Sequence, residues 1–414
     1  MNRLMKPVRS HAQNTRRRRR TWLTAFAAIF LAIAGGLLWT ALSRRDSRTA
    51  DERLAEIEAA RAVPDSENAA IIYNQLLQNP NATSILNDFP ESPTGDVLGR
   101  VLREPWRDED LPEVAAWVKK RQSVIDRLLE ASRLEKCRFA ISVDITDTSE
   151  VDRAAPLRQW GYLLGLVANN DLADGRIDAA MVKWRCLLRM ASQLHQQPTQ
   201  IDHLMASALG RQALEPMARF IMAGDASEPR LQEIEAMELP TKDDWPEQRK
   251  ATRMVEDVRS RKIMERFGPL GRLRYHVMSF RMQRAIKSAT GEVVNQATIE
   301  AKTADPYFRS IATARGIRIL VALKRHRNVT GRWPETLDEI KPSLSNEILT
   351  DPFNKGPFVY RPASDGFRLY SRGRNSKDEG GKRDLDAGPD DWSIWPPRGY
   401  TEKDKQVDGH KSDR

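Results

Sequence analysis

The sequence is poor in the residues and motifs that most enzymes use. It has only two cysteines and six histidines among 414 residues, and no Cys/His spacing suits zinc. It contains no H-E-x-x-H, no G-x-S-x-G, no phosphate-cradling glycine loop and no dinucleotide fingerprint. We therefore predict that the chain is not an enzyme, with no catalytic or organic cofactor-binding residues and no evident small-molecule substrate.

The few cysteines and histidines that are present have ordinary interpretations. Cys137 and Cys186 could pair outside the cytoplasm, or Cys186 could be a small buried hydrophobe within a helical apolar pattern. His195 and His203 lie on either side of Pro198, so they do not share a continuous helix face. We interpret both as ordinary surface or partly buried histidines.

Acidic residues are almost missing from the first 48 positions. Residues 1–48 hold eleven basic residues and one acid, Asp46, and this excess of ten equals the net charge of the whole chain, +10. The rest of the sequence is therefore balanced in charge. This distribution argues against a nucleic-acid partner, since such proteins carry their positive charge on the folded body.

A long uncharged run follows this basic leader. Residues 21–43 contain no charged side chain, and 23 helical residues cover a hydrocarbon core of about 30 Å. Eight basic residues precede the run and three follow it, which predicts an N-terminus inside the cytoplasmic membrane and a body outside. We predict a leader at 1–20 and a single transmembrane helix at 21–43. A cleaved signal peptide is the alternative, although its apolar region would normally be shorter.

Helical patterns dominate the next part, and we predict a helical ectodomain at 44–240. The clearest unit is a hairpin of 156–172 and 177–194 around Gly175, which can end the first helix in a left-handed conformation. Small, aromatic and apolar residues recur four apart in two segments, as Ala69-x3-Tyr73-x3-Leu77 and Ala180-x3-Trp184-x3-Leu188. This cadence resembles the second helix of a tetratricopeptide repeat. The wide separation of the copies indicates an irregular bundle of repeat-like hairpins.

A basic helical connector is predicted at 241–304. Within it, residues 247–287 carry twelve Arg and Lys against four acids. The simplest interpretation is that the charged ends of these Arg and Lys side chains face solvent while their aliphatic stems cover apolar surface. Contact with a membrane or a protein partner is the alternative, and nucleic acid is the least expected ligand.

The character of the sequence changes at residue 305. An amphipathic helix ending near Asn328 is followed by a short second helix and by two strand-like segments, 351–361 and 365–371. Phe358 and Tyr360 are expected on the face that Phe367 and Leu369 share. An acidic loop and two tryptophans come next. We predict a small α+β domain at 305–395 and a disordered tail at 396–414.

An ordered series of words in this region resembles the C-terminal domain of the major pseudopilin of bacterial type II secretion systems. The series reads Gly331-x-Trp333-Pro334-x-Thr336-Leu337-x-Glu339-Ile340, Asp351-Pro352-Phe353, Pro357-x-x-Tyr360-Arg361 and Tyr370-Ser371-x-Gly373-x-Asn375. The resemblance implies a long helix packed on a small antiparallel sheet, with a calcium ion in the loop after the sheet. Residues 21–43 lack the Phe start and the Glu of a pseudopilin helix, so the resemblance does not extend to filament assembly.

By this resemblance the acidic loop is a structural calcium site. Asp384 and Asp386 match the family's Asp-x-Asp, Asp391 precedes Trp392 as an acid does there, and Asp378 is the next candidate ligand. Oxygen ligands of this kind suit calcium. Two alternatives remain: a solvated acidic turn neutralised by Lys382 and Arg383, or a hydrolytic metal site.

Together these features predict a mainly α, single-pass protein of the bacterial cytoplasmic membrane. Its expected role is structural or in protein interaction, related to secretion, with protein partners in the cell envelope. A metal-dependent hydrolase that uses the acidic loop is the alternative.

Overall fold

Helices form most of the described part of the chain. The computed structural model describes residues 48–90, 96–144, 146–223, 226–266, 277, 284, 296–363, 366–383 and 390–397. The helices are α1 (Ala50–Ala60), α2 (Ala69–Leu77), α3 (Pro80–Thr83), α4 (Val97–Arg103), α5 (Pro112–Lys119), α6 (Gln122–Ser132), α7 (Ser149–Asp152), α8 (Ala154–Ala173), α9 (Ile177–His195), α10 (Gln200–Met222), α11 (Glu228–Glu235), α12 (Trp245–Arg266), α13 (Gln296–Thr330) and α14 (Asn346–Leu349), with short 3-10 helices at Asp65–Glu67 and Leu337–Ser343. The strands are β1 (Val359–Ala363), β2 (Gly366–Ser371) and β3 (Trp392–Trp395). The predicted mainly α class with a small sheet is confirmed.

The described residues fall into two compact units. The first comprises those within 48–61, 140–148 and 249–304, and the second those within 62–139, 149–248 and 305–397. One break between the two units, at 304/305, coincides with a boundary that the sequence suggested. The second unit also includes both the helical body and the region after residue 305.

The first unit has a small apolar centre. Ala50, Val143 and Val258 are buried together. Acids of α1 and α12 bind cations across the unit: Arg53 contacts Asp257 at 2.5 Å and Lys262 contacts Asp51 at 2.6 Å. Part of the basic segment is thus paired with acids, whereas 267–287 lies outside the described residues apart from 277 and 284.

The second unit is built around α8, α9 and α10. Helix α8 is buried on most of its sides, and Leu157, Trp160 and Leu164 are completely buried. Helix α9 presents one apolar face, with Ala180 and Trp184 fully buried at a spacing of four residues. The predicted hairpin between α8 and α9 is confirmed, and Gly175 has φ +73°.

Several shorter elements connect the long helices. Helix α2 is capped by Asn68, whose side chain accepts from the Ala70 amide. Two separate helices, α5 and α6, follow one another between residues 112 and 132. Residues 138–144 form an extended link. Cys137 and Cys186 are both buried, and no disulfide joins them.

Helix α13 is anchored to the helical body by hydrogen bonds as well as by apolar contacts. Arg318 donates to the Ile234 carbonyl at 3.2 Å and to the Met237 carbonyl at 2.6 Å, both at or beyond the end of α11. Lys324 donates to the Ala223 carbonyl just after α10. Because cations at helix C-termini satisfy carbonyls that have no intrahelical partner, these contacts fix α13 against the body.

The sheet has the order β1-β2-β3, with both pairs antiparallel. Tyr360 lies opposite Leu369, and Phe358, Phe367 and Leu369 are buried, so the shared apolar face is confirmed. Strand β3 was not predicted. Its Ile394 packs against α13, where a side chain at Gly316 would lie 2.4 Å from Ile394 Cγ2.

No helix among the described residues combines the length and the apolar character needed to cross a membrane. The predicted leader at 1–20 and span at 21–43 lie outside those residues, as does the predicted tail beyond residue 397.

Candidate metal centre

The connection from β2 to β3 returns on itself through glycines in left-handed conformations. Gly373, Gly380 and Gly381 have φ values of +60°, +74° and +79°, which other residue types rarely adopt. These turns bring residues 373–381 beside 390 and 391, just ahead of β3. An isolated antiparallel backbone bridge pairs Arg383 with Asp390.

Three carboxylates meet at this point. One oxygen from each of Glu379, Asp390 and Asp391 lies within 4.8 Å of the other two. Asp391 is only 1% exposed, and the other two are partly buried. We call these three residues the carboxylate cluster.

Asp391 is the most buried member of the carboxylate cluster. Its Oδ2 accepts hydrogen bonds from the amides of Glu379 and Gly381, at 2.9 and 2.8 Å. Its Oδ1 is buried and has no hydrogen-bond partner among the described residues. Burial raises the pKa of Asp391 to about 6, and the neighbouring Glu379 carboxylate adds to this rise.

Asp390 repeats this pattern on the opposite side of the turn. Its Oδ2 accepts from the amides of Arg374 and Asn375, at 2.9 and 3.2 Å. Its Oδ1 is likewise buried with no partner in the described part of the chain. A side chain at Gly373 would lie 2.3 Å from that Oδ1, so the approach of Asp390 depends on glycine there.

Glu379 completes the cluster and is held by two hydrogen bonds. Its Oε1 accepts from Asn375 Nδ2 at 2.7 Å, and its Oε2 accepts from the Asp390 amide at 3.3 Å. Each of the three carboxylates therefore has one oxygen oriented by backbone or amide groups. In Asp390 and Asp391, the other oxygen has no hydrogen-bond partner among the described residues.

A divalent cation fits this donor set. Three neighbouring carboxylates repel one another, and two buried oxygens without hydrogen bonds are costly unless something positive balances them. Hard oxygen ligands without sulfur or imidazole suit calcium or magnesium rather than a transition metal. Glu379, Asp390 and Asp391 would hold the ion, and water or carbonyl oxygens would supply its further ligands.

The four metal ligands predicted from the sequence do not all belong to the carboxylate cluster. Asp391 belongs to the carboxylate cluster. Asp378 does not: its oxygens accept from Tyr370 Oη at 2.8 Å and the Gly380 amide at 3.0 Å, and Arg361 contacts it at 2.6 Å. Burial opposes ionisation of Asp378, but these hydrogen bonds and Arg361 together lower its pKa. Asp384 and Asp386 lie outside the described residues.

Sequence reasoning missed Glu379 and Asp390. Gly380 and Gly381, which follow Glu379, turn the chain so that Glu379 lies beside Asp390. The pair Asp390-Asp391 before Trp392 was the available signal. Arg383, one of the two cations expected to neutralise the loop, instead lies over the Trp392 ring at 5.4 Å.

A second polar cluster surrounds His195 and His203, which we predicted to be ordinary surface or partly buried histidines. His195 ends α9 and His203 lies in the first turn of α10, and their rings are 5.9 Å apart. Tyr307 of α13 packs edge-on against His195 and donates to Asp244 Oδ1 at 2.5 Å. His203 is committed to the Gln197 carbonyl at 2.6 Å. We interpret this arrangement as a buried structural network.

Comparison of the chain with family models, with curated proteins and with solved structures found no match.

Proposed function

We propose that the carboxylate cluster binds one calcium ion and that the ion has a structural role. The supporting observation is the pair of buried oxygens, Asp390 Oδ1 and Asp391 Oδ1, which lie beside Glu379 without hydrogen-bond partners among the described residues. A bound cation would balance three negative charges and fasten the β2–β3 connection to the sheet. The pseudopilin resemblance places calcium in the same loop.

A structural role fits the burial better than catalysis does. A hydrolytic centre needs an open coordination position and a group that activates water. Asp391 is 1% exposed, and the cluster consists of carboxylates alone. The hydrolase alternative gains no support from these contacts.

At the level of the whole protein, we propose a non-enzymatic, membrane-anchored envelope protein related to secretion. The uncharged run at 21–43, with eight basic residues before it and three after, supports an anchor with its N-terminus inside. The helical hairpins and the pseudopilin-like region would then face protein partners outside the cytoplasm. Crosslinking in native membranes, followed by identification of the captured proteins, tests for such partners.

Calcium binding is tested by thermal unfolding of the full-length protein in detergent, with calcium, with magnesium or with a chelator. If calcium binds only the folded state, a hundredfold excess over Kd stabilises it by about 2.7 kcal/mol. Asp391→Asn keeps the shape and the acceptor for the two amides but removes the charge, so this variant should lose the calcium response. Asp378→Asn is the matched control, since Asp378 is paired with Arg361, and it should keep that response.

The result that would contradict the proposal is an equal melting temperature with calcium and with chelator in the unmodified protein. Loss of the response in Asp378→Asn together with its retention in Asp391→Asn would instead contradict the ligand set.

The proposed topology has its own test. Protease added to the periplasmic face of membranes should digest the body and spare the basic leader. Protection of the body from that protease would contradict the localisation.

A further inference from the structure

Asp351, between α14 and β1, is a fully buried acid outside the carboxylate cluster. Its Oδ1 accepts from the Phe353 amide at 3.0 Å, and its Oδ2 accepts from Asn354 Nδ2 at 2.6 Å and from the Arg372 amide at 3.3 Å. The Ser371 hydroxyl also hydrogen-bonds to this carboxylate. Both oxygens of Asp351 therefore already have protein donors, and the three carboxylates that could share an ion do not include it.

The contacts of Asp351 converge on the point where β2 ends and the connection to β3 begins. The Arg372 amide binds Asp351 directly. The hydroxyl oxygen of Ser371 also accepts from the Gly373 amide, at 3.0 Å. Asn354 Nδ2 donates to the Gly373 carbonyl at 3.4 Å as well as to Asp351. Asp351 thus holds the backbone of residues 371–373, directly and through two neighbouring side chains.

Asp390 of the carboxylate cluster binds the next residues of the same backbone. Its Oδ2 accepts from the amides of Arg374 and Asn375, and its Oδ1 lies where a side chain at Gly373 would be. The left-handed φ of +60° at Gly373 sets the direction of the chain that carries these two amides. A shift of residues 371–373 therefore moves the groups that orient Asp390.

Such a shift matters because a metal site depends on how well its ligands are held. Calcium ligands lie about 2.3–2.6 Å from the ion, and groups that orient a ligand typically contribute about 10–100-fold to metal affinity. The groups that orient Asp390 are backbone amides. Their position depends on the turn at Gly373.

We infer that Asp351 is a positioning residue of the calcium site: it fixes the turn at Gly373 and thereby orients Asp390 toward the ion. The inference rests on the proposed function of the carboxylate cluster. It gives the buried acid of the Asp351-Pro352-Phe353 segment a role in a site to which it contributes no ligand.

Terbium luminescence on the full-length protein in detergent tests this role. Terbium(III) occupies oxygen sites as calcium does, and Trp392, which directly follows Asp391, lies close enough in the chain to sensitise its emission. Displacement of terbium by calcium gives the Kd for calcium. Luminescence lifetimes in H2O and D2O give the number of water molecules on the bound ion, which rises when a protein ligand is lost and does not follow general stability.

Asp351→Asn keeps the size of the side chain and one acceptor oxygen, but its amide nitrogen cannot accept from a backbone or side-chain donor. We expect this variant to weaken calcium binding by about 10–100-fold and to add a water molecule to bound terbium, because Asp390 is no longer oriented toward the ion. Asn354→Ala leaves Asp351 and its contact with the Arg372 amide in place. It should weaken calcium binding by a smaller factor.

Asn68→Ala is the matched control. Asn68 is a buried residue at the start of α2, and its side chain hydrogen-bonds to the Ala70 amide and to the backbone of Arg138. Its variant loses a comparable set of buried hydrogen bonds in the helical body, and melting in chelator measures the stability that each variant loses. Asn68→Ala should keep the calcium affinity and the number of bound waters.

Unchanged calcium affinity and an unchanged number of waters in Asp351→Asn would overturn the inference and leave the proposed calcium site in place. If that variant does not fold, unchanged affinity in Asn354→Ala overturns it in the same way. Equal weakening in Asn68→Ala would also overturn it, because the effect would then follow general stability. Absence of calcium binding by the unmodified protein would contradict the proposed function, and this inference with it.

Discussion

Gly373 is the residue on which the carboxylate cluster most directly depends. It combines a left-handed backbone with a close approach of Asp390, whose Oδ1 and main-chain oxygen would lie 2.3 and 2.5 Å from an added Cβ. Gly380 has a similar φ of +74°, but an added Cβ would meet nothing within 4 Å. A substitution at Gly380 therefore introduces backbone strain alone, whereas a substitution at Gly373 adds steric conflict with Asp390.

We expect Gly380→Ala to cost about 1–2 kcal/mol of unfolding free energy, which is the price of a left-handed conformation in a residue with a Cβ. Gly373→Ala should cost clearly more and should also abolish the calcium response, because it displaces Asp390. Urea unfolding with calcium and with chelator measures both quantities. Equal losses in the two variants would show that the contact with Asp390 is unimportant.

His195 makes the stability of the second unit sensitive to acid. Burial, with a smaller contribution from His203, lowers its pKa to about 4, while Asp244 and the Gln248 side chain act in the opposite direction. Burial also lowers the pKa of His203. Between pH 6.5 and about 4 the unfolded chain binds more protons at these positions than the folded protein does, so acid favours unfolding.

The contribution of the neutral His195 to stability is thus fully present above pH 6.5 and is lost as the pH falls toward 4. We expect His195→Gln, which stays neutral, to reduce the slope of unfolding free energy against pH in this window. Urea unfolding at a series of pH values measures the slope. The variant His326→Gln would serve poorly as a control, because His326 is itself largely buried and contacts Glu339, so the unmodified protein is the reference. An unchanged slope would contradict this role.

At the scale of elements, local sequence patterns predicted the long helices. They did not predict the elements that depend on contacts between residues distant in the sequence. The α8–α9 hairpin follows from apolar spacing and Gly175, which are local. Strand β3 has four residues and exists because it pairs with β2 and packs on α13, so its sequence alone does not specify it. The carboxylate cluster needs the turns at Gly373, Gly380 and Gly381, which no residue spacing reveals.

The contact between β3 and α13 is a close one. We expect Gly316→Ala to destabilise the protein, because its Cβ would lie 2.4 Å from Cγ2 of Ile394, a side chain with little rotational freedom. Gly165→Ala in α8 is the matched helical control. Its nearest neighbour would be 3.4 Å away, so the substitution should be neutral or should add up to about 1 kcal/mol of helix stability.

Thermal or urea unfolding compares the two variants. Adding Ile394→Ala to Gly316→Ala should cost less than the sum of the two single changes, because the smaller side chain removes the conflict. Strict additivity would mean that the two residues do not compete for the same space.

At the scale of the whole molecule, the second unit has one continuous apolar core. Residues from α2 to α6, from α8 to α11, from α13 and from β2 and β3 belong to the same buried cluster, and Tyr360 of β1 packs against it. The sequence suggested a separate domain at 305–395 because its composition and motifs change there. The change at residue 305 coincides with a break between the two units, but residues 305–397 share their apolar core with the helical body, and few contacts should cross a domain boundary.

We therefore expect a fragment of residues 305–397 to remain unfolded in isolation. It would expose the face of α13 that packs on the body, and it would lose the carbonyl partners of Arg318 and Lys324. Circular dichroism and the dispersion of NMR amide signals check this against the full-length protein. A fragment that melts cooperatively would support the separate domain that the sequence suggested.

The shared core also has a consequence for how the protein is made. A ribosome releases the chain from its N-terminus, and domains generally fold in that order. In this chain the helices of residues 62–248 are synthesised first, but the helix and the strand that cover them end at Thr330 and Trp395. A nascent chain stopped before Trp392 would carry the helical body with part of its apolar surface uncovered. Completion of the second unit thus waits until Trp395 has been translated, and until then the uncovered apolar surface exposes the chain to aggregation.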